Sequence, residues 1–396
     1  MQIGLVGAPS SGKSTFFNAA TLQNVPMASY PFTTIEPNIG AGFVRVKCID
    51  REFGVQCNPR TGYCNNGTRY VPVELIDVAG LVPGASEGKG MGNQFLSDLS
   101  RADALIQVID ASGGTNEKGE NVPAGSYDPV NFVSFLREEI DKWFFGVIKK
   151  NWPKFGKHPL DSKAKLFEAM QQSLSGIGAT ANTIETALNK AGLLETKLFT
   201  WTDEDTMNFA AELRKATKPM VVAANKIDLP GAEKNAERIK EKYPDTLVVG
   251  CSAVSELALK RASKEGAIEY MPGDADFKEL KQLGEKQKKG LDYIKANVLQ
   301  KSGSTGIQEV LDKTVFEVLQ YIAVFPAGGK LKDQHGNYIP DCFLIPSGST
   351  ALDFAFKLHT DIGNGFIRAI DSKTKMVVGR EHVLKNRDAI EIVFKG

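Results

Sequence analysis

Residues 2–15 read QIGLVGAPSSGKST: a short apolar strand runs into Gly7-Ala8-Pro9-Ser10-Ser11-Gly12-Lys13-Ser14, and helical text follows from Lys13 through Thr15 to position 22. The loop fits G-x-x-x-x-G-K-[ST] in the strand–loop–helix setting that this motif requires. Its glycines let backbone N–H groups turn inward around phosphate oxygens, and the positive end of the following helix adds to their field. In such a loop Lys13 bridges the β- and γ-phosphates, and the Ser14 hydroxyl ligates Mg2+. A nucleotide triphosphate cradle is expected here.

Working outward, apolar runs at 73–77, 104–109, 219–224 and 246–250 read as further buried strands. Helical patterns lie between them, at 93–99, 205–216 and 235–243, which is the order of a mostly parallel α/β sheet covered on both faces. The strand ends carry chemistry. Asp77-Val78-Ala79-Gly80 fits D-x-x-G, with Asp77 placed to hold the metal through water and Gly80 offering an N–H to the γ-phosphate. Asn225-Lys226-Ile227-Asp228 fits N-K-x-D, whose Asp228 can accept two hydrogen bonds from the N1–H and amino group of guanine. Adenine offers no such pair of donors. Cys251-Ser252-Ala253 follows the next strand, where Ser252 or Ala253 would set a backbone N–H against the guanine O6.

About ninety residues separate Ile109 from the helix at Asp205, far more than joins neighbouring elements of such a unit. This reads as an insertion, a polar glycine-rich loop and then helices. The lysine-rich stretch at 276–301 reads as one surface helix, with a solvated face preferred to a phosphate-binding one. Another helix is expected at 306–321. Short strands and Gly/Pro turns then predict a separate small β domain. The expected division is a nucleotide domain in two parts, 1–112 and 203–324, a helical insertion at 113–202, and a terminal domain at 325–396.

The 396 residues carry 48 lysines and arginines against 47 acidic residues, and a net charge of +1 gives no global attraction to nucleic acid. The chain opens on an apolar strand without a basic leader, and no apolar run approaches the roughly 20 residues that span a bilayer. A cytoplasmic protein with no membrane partner is expected. Cys48, Cys57 and Cys64 fall within one polar segment, without C-x-x-C spacing or a fourth ligand. They read as reduced thiols; a metal there would need a ligand from elsewhere.

With these residues in place, the chain closely resembles the Obg/YchF group of translation-associated GTPases, nearest the archaeal and eukaryotic relatives of YchF, over almost its whole length. The specific segments are GAPSSGKSTFFNAAT, YPFTTIEPNIG at 30–40, IDVAGLVPGASEGKGMGNQFL at 76–96, and FPAGG through VFKG at the end. The resemblance implies that 30–40 is the first switch, with Thr34 or Thr33 closing onto Mg2+ and the γ-phosphate, and that 84–92 is the second. It also implies that the last seventy residues form a TGS domain, a β-grasp fold, with LDFAFKLHTDIGNGFIRAID at 352–371 its most specific piece. Phe343, Phe354, Phe356 and Phe366 in this region read as core residues, and His359 as a surface histidine without a catalytic role.

Three departures from the family matter. YchF has an altered base motif and is associated with ATP, whereas N-K-x-D is intact here. Many relatives place Asn at the fourth P-loop position, where it helps bind K+; this chain has Ser10, so potassium stimulation stays open. Leu81 stands where Ras-like enzymes carry the glutamine that orients the attacking water, as in the hydrophobic-substituted group of P-loop GTPases, and Ser86 stands where YchF relatives often have a histidine. The expectation is a slow Mg2+-dependent GTPase, with Lys13, Thr34 and Gly80 acting on the γ-phosphate, that works as a switch on ribosomes or RNA. A pure binding switch and a YchF-like ATPase are the alternatives. An activating factor is not identified.

Overall fold

The computed structural model describes residues 1–21, 38–78, 92–116, 118–156, 163–328, 331–333 and 335–395. Along the chain come β1 (Gln2–Val6), α1 (Lys13–Thr21), β2 (Ile39–Lys47), β3 (Tyr63–Asn65), β4 (Thr68–Asp77), α2 (Gly92–Arg101) and β5 (Ala104–Asp110). The insertion supplies α3 (Val130–Phe155), α4 (Lys163–Leu174) and α5 (Ala181–Lys190). There follow α6 (Asp203–Thr217), β6 (Met220–Asn225), α7 (Ala232–Lys242), β7 (Val248–Gly250) and α8 (Ala253–Lys264). The sheet order is β2-β4-β1-β5-β6-β7, with β3 paired to β4. Strand β1 is parallel to β4 and β5, β5 to β6, and β6 to β7.

The described chain forms two compact units whose bounds differ from the four segments drawn from the sequence. Among the described residues, the first holds those of 1–21, 38–40 and 74–310, and the second those of 41–73 and 311–395. In the first, strands β5 and β6 are buried along their whole length, as their near-continuous apolar text requires of a sheet covered on both faces. One core cluster joins Val6, Ile76 and Leu105 of the strands to Leu136, Ile140, Phe144 and Phe155 of α3 and to Phe209 and Leu213 of α6. The insertion therefore shares the core of the nucleotide sheet.

The 276–301 stretch is not one helix. Lys278–Glu279 forms β9 against β8 (Ile268–Glu269), and helix α9 (Glu285–Ile294) begins only after Gly284. It continues through a π turn, Lys295–Leu299, into α10 (Gln300–Ser302), and buries Leu291, Ile294, Val298 and Leu299 against Leu259 and Tyr270. The apolar face settles the orientation, and the lysines cover the other side. Helix α11 (Ile307–Lys313) and a π turn, Thr314–Val318, complete the next helical stretch.

In the second unit, β10 (Tyr321–Pro326), β11 (Phe343–Pro346), α12 (Ala351–Leu358), α13 (Thr360–Asn364), β12 (Phe366–Asp371), β13 (Val377–Val378) and β14 (Ala389–Phe394) build a five-stranded sheet of order β11-β10-β14-β12-β13. Strand β10 runs parallel to β14 and antiparallel to β11. Thr350 and Asp353 close a capping box at the start of α12. Phe354 is fully buried, and Phe343 and Phe366 pack against its cluster, while Phe356 is exposed. His359 is exposed and accepts the Asp361 N–H at the start of α13. No described helix is long and apolar enough to cross a membrane.

Candidate nucleotide-binding site

Parallel strands that end at one edge deliver their following loops to a common crevice. Here β1 ends in the glycine loop, β4 in Asp77, β5 in Asp110 and β6 in Asn225. Gly12 has φ +91°, and a Cβ at this position would collide with the Asn225 side-chain amide. Glycine is required on both counts. Asn225 is buried at the centre of the arrangement: its Nδ2 donates to Ser11 O at 3.0 Å, and its Oδ1 accepts from Ala253 N at 3.0 Å. One amide thus braces the glycine loop and the loop after β7 together.

A cavity of about 520 Å3 opens between these loops. Ala8, Pro9, Ser10, Gly12, Lys13, Ser14 and Thr15 line one end, and Asn225, Lys226, Asp228 and Ser252 the other. Leu229 and Val254, both exposed, add apolar walls beside Asp228. Gly7, Ser11 and Ala253 do not line it; Ser11 is buried, and the Ala253 N–H is already given to Asn225. The Ser252 N–H likewise goes to Thr305 O at 2.9 Å, so neither backbone donor expected to meet the base is uncommitted. The Asp228 carboxylate, by contrast, accepts no hydrogen bond from any described residue; only its carbonyl does, from the Tyr293 hydroxyl at 3.3 Å.

At the phosphate end the Lys13 ammonium is ion-paired to Asp77 Oδ1, and the Ser14 hydroxyl lies 3.3 Å from Asp77 Oδ2. A hydroxyl and a carboxylate side by side suit a hard divalent cation that keeps several waters. Thr33, Thr34, Gly80, Leu81 and Ser86 lie outside the described residues, as do most of both switches.

Three comparisons bear on this geometry. Residues 2–133 match a 50S ribosome-binding GTPase family, 223–328 an Obg-like GTPase YGR210-like, G4 motif-containing domain, and 322–394 the TGS domain. An uncharacterized GTP-binding protein of Methanocaldococcus jannaschii is 46% identical over 99% of this chain and 98% of its own. The chain belongs to the Obg/YchF-related P-loop GTPases. The crystal structure of a GTP-binding protein from Pyrococcus horikoshii OT3 is 37% identical, covers both chains fully and superposes with a TM-score of 0.80. The Schizosaccharomyces pombe YchF GTPase, 18% identical over 99% of this chain and 97% of its own, shares the fold with a TM-score of 0.60. YchF of Buchnera aphidicola, named a ribosome-binding ATPase, is 28% identical over 92% of this chain and 86% of its own.

In this member of the Obg/YchF family, one important polar group was passed over in the sequence. Asp110, buried at the end of β5, accepts from Lys226 Nζ at 2.7 Å, from Ser112 Oγ at 2.6 Å and from Thr115 Oγ1 at 2.6 Å. Lys226 sits at φ +63° and also donates to Ser10 O at 3.2 Å, so Asp110 anchors the lysine of N-K-x-D across the glycine loop. A carboxylate closing a buried strand, like Asp77 on β4, was the available signal. Burial pushes the Asp110 carboxyl up, but the hydrogen bonds from Lys226, Ser112 and Thr115 outweigh it and leave it below its ordinary value. A depressed carboxyl stabilises the fold above its unfolded pKa, and that contribution fades as pH falls through the folded value. Asp110→Asn should therefore lower the denaturant midpoint at pH 7, with the gap from wild type narrowing below about pH 4. A gap that stayed constant down to acid would show that the charge does not matter.

Proposed function

We propose that this chain binds GTP and hydrolyses it to GDP and phosphate with Mg2+, acting as a nucleotide-dependent switch on ribosomes or their RNA in translation. The observation that carries the reading is one cavity whose two ends are the glycine loop and an N-K-x-D motif with an Asp228 carboxylate uncommitted among the described residues. The base enters beside Asp228, between Leu229 and Val254. Backbone N–H groups of the glycine loop and Lys13 hold the phosphates, for which Lys13 exchanges its carboxylate partner. Ser14 and Asp77 would hold Mg2+, which when bound spreads the charge of the transferred phosphoryl group. Thr34 and Gly80 are the proposed switch contacts to the γ-phosphate.

An alkyl side chain cannot orient a water, so Leu81 predicts slow intrinsic turnover and a partner that completes the site. The ribosome enters as that partner from the matched GTPase family and the name of the Buchnera relative. A phosphate-release time course, with and without ribosomes and with GTP or ATP, tests the reading. Slow release from GTP, raised by ribosomes and unaffected by excess ATP, is the expected result; preferred ATP turnover would replace it with the YchF-like alternative. In calorimetric titration Ser14→Ala should impair Mg2+-dependent GTP binding more than Mg2+-free GDP binding. Equal losses of both would remove Ser14 from the metal.

A further inference from the structure

Far from any role assigned above, the second unit gathers the three cysteines of its polar segment. Cys48 follows β2, and its N–H closes onto Gly67 O at 2.7 Å in the turn between β3 and β4. Cys57 precedes Asn58, whose N–H is bound to Tyr338 O at 2.8 Å, and Cys64 lies within β3 opposite Arg69 of β4. Strand end, loop and hairpin thus bring three thiols to one point. The Cys48 and Cys57 sulfurs are 3.6 Å apart, and Cys64 Sγ is 3.8 Å from Asp50 Oδ2. All four ligand atoms lie within 4.8 Å of one another.

Two features separate this cluster from a chance meeting of reduced thiols. Ligand atoms of a tetrahedral thiolate site, with metal–sulfur bonds of about 2.3 Å, stand about 3.8 Å apart, close to the 3.6 Å between the Cys48 and Cys57 sulfurs and inside the 4.8 Å that bounds the whole group. Asp50 is fully buried, yet among the described residues its carboxylate accepts only from Arg51 N and the Cys64 thiol, and no cationic side chain pairs with it. A buried carboxylate without a cation is costly. A divalent ion held by it would remove that cost. The fourth ligand missing from the sequence reading lies inside the segment itself, two residues after Cys48.

We propose that Cys48, Cys57, Cys64 and Asp50 hold one Zn2+ ion in a closed structural site of the second unit. Three thiols lose their protons to solvent as three zinc–sulfur bonds form, and Asp50 supplies the fourth bond as a carboxylate. The resulting net charge of the four ligands and the ion is −2, and the buried Arg69 guanidinium adds a compensating positive charge to the surroundings. Arg69 donates to Ile339 O and Pro340 O, at 3.2 and 2.7 Å, so the ion and the arginine together fasten the segment to the stretch before β11. With four protein ligands no position is left open for substrate, which makes the role structural.

The test uses the full chain, purified under thiol reductant, with zinc measured by mass spectrometry and Co2+ titrated after chelation. One zinc per chain is expected, together with cobalt–thiolate charge-transfer absorption that saturates at one equivalent. Chelation should lower the thermal midpoint, and Zn2+ alone should restore it. Cys64→Ala should lose the ion. Asp50→Cys should keep it and raise the charge-transfer intensity by about a third, from three thiolate bonds to four. Should Cys64→Ala fail to fold, the wild-type titration and Asp50→Cys decide. The proposal is overturned by a reduced chain that binds no Co2+, by a Cys48–Cys57 disulfide in its place, by iron with acid-labile sulfide, or by Asp50→Cys without added intensity.

Discussion

Asp228→Asn is expected to weaken GTP binding by about 2 kcal/mol or more, roughly thirtyfold, and to turn the preference toward xanthine nucleotides. The carboxylate lines the cavity and accepts nothing from the described residues, so both oxygens are available to the N1–H and amino group of guanine. An asparagine keeps one acceptor and sets an NH2 against the guanine amino group. Two donors then face each other without water. Xanthine carries a carbonyl at that edge, which the new amide can bond. Calorimetric titration of both nucleotides into both proteins checks this, and an unchanged GTP affinity would take Asp228 out of the base pocket.

An effect at least as large is expected from Gly12→Ala, for a reason that lies in the loop itself. Holding alanine at φ +91° costs about 1–3 kcal/mol. Its methyl group would also drive the Asn225 amide away from Ser11 O and Ala253 N, and each buried group left without a partner costs about 1–3 kcal/mol more. The loop and the base side of the cavity should separate, and GTP binding should fall below detection. Denaturant midpoints of the double change with Asn225→Ala distinguish the two causes, since the collision partner is then gone and Gly12→Ala should cost less stability than it does alone. Equal cost in both backgrounds would mean that backbone strain alone is responsible.

Much of the nucleotide sheet was legible because parallel strands buried on both faces are written as unbroken apolar text, as in ALIQVID and MVVAAN. Strand β2 was not, since IGAGFVRVK breaks its apolar residues with glycine, arginine and lysine, and its start coincides with the family's first switch. The glycine loop and N-K-x-D could be placed because phosphate and guanine demand particular residues at fixed spacing. Leu229 and Val254 could not, because an apolar wall is defined only by what the fold sets beside it; Asp110 is marked by closing a buried strand, but its lysine partner is set only by the fold. Asp50 was missed as a partner of the three cysteines for a related reason: the ligand group has no regular spacing, and it forms only where a strand end, a loop and a hairpin converge.

The shared core of α3 and the nucleotide sheet sets a limit on how this chain can vary. Phe144 and Phe155 of the insertion are as deeply enclosed as Val6 beneath the glycine loop, and they belong to the same apolar cluster. Removing α3 to reach a minimal nucleotide domain would bare one face of the strands that carry the motifs. The insertion is thus not an ornament that a lineage can gain or shed at a loop; it backs the sheet whose loops build the cavity, and it can change only in step with the strands it covers.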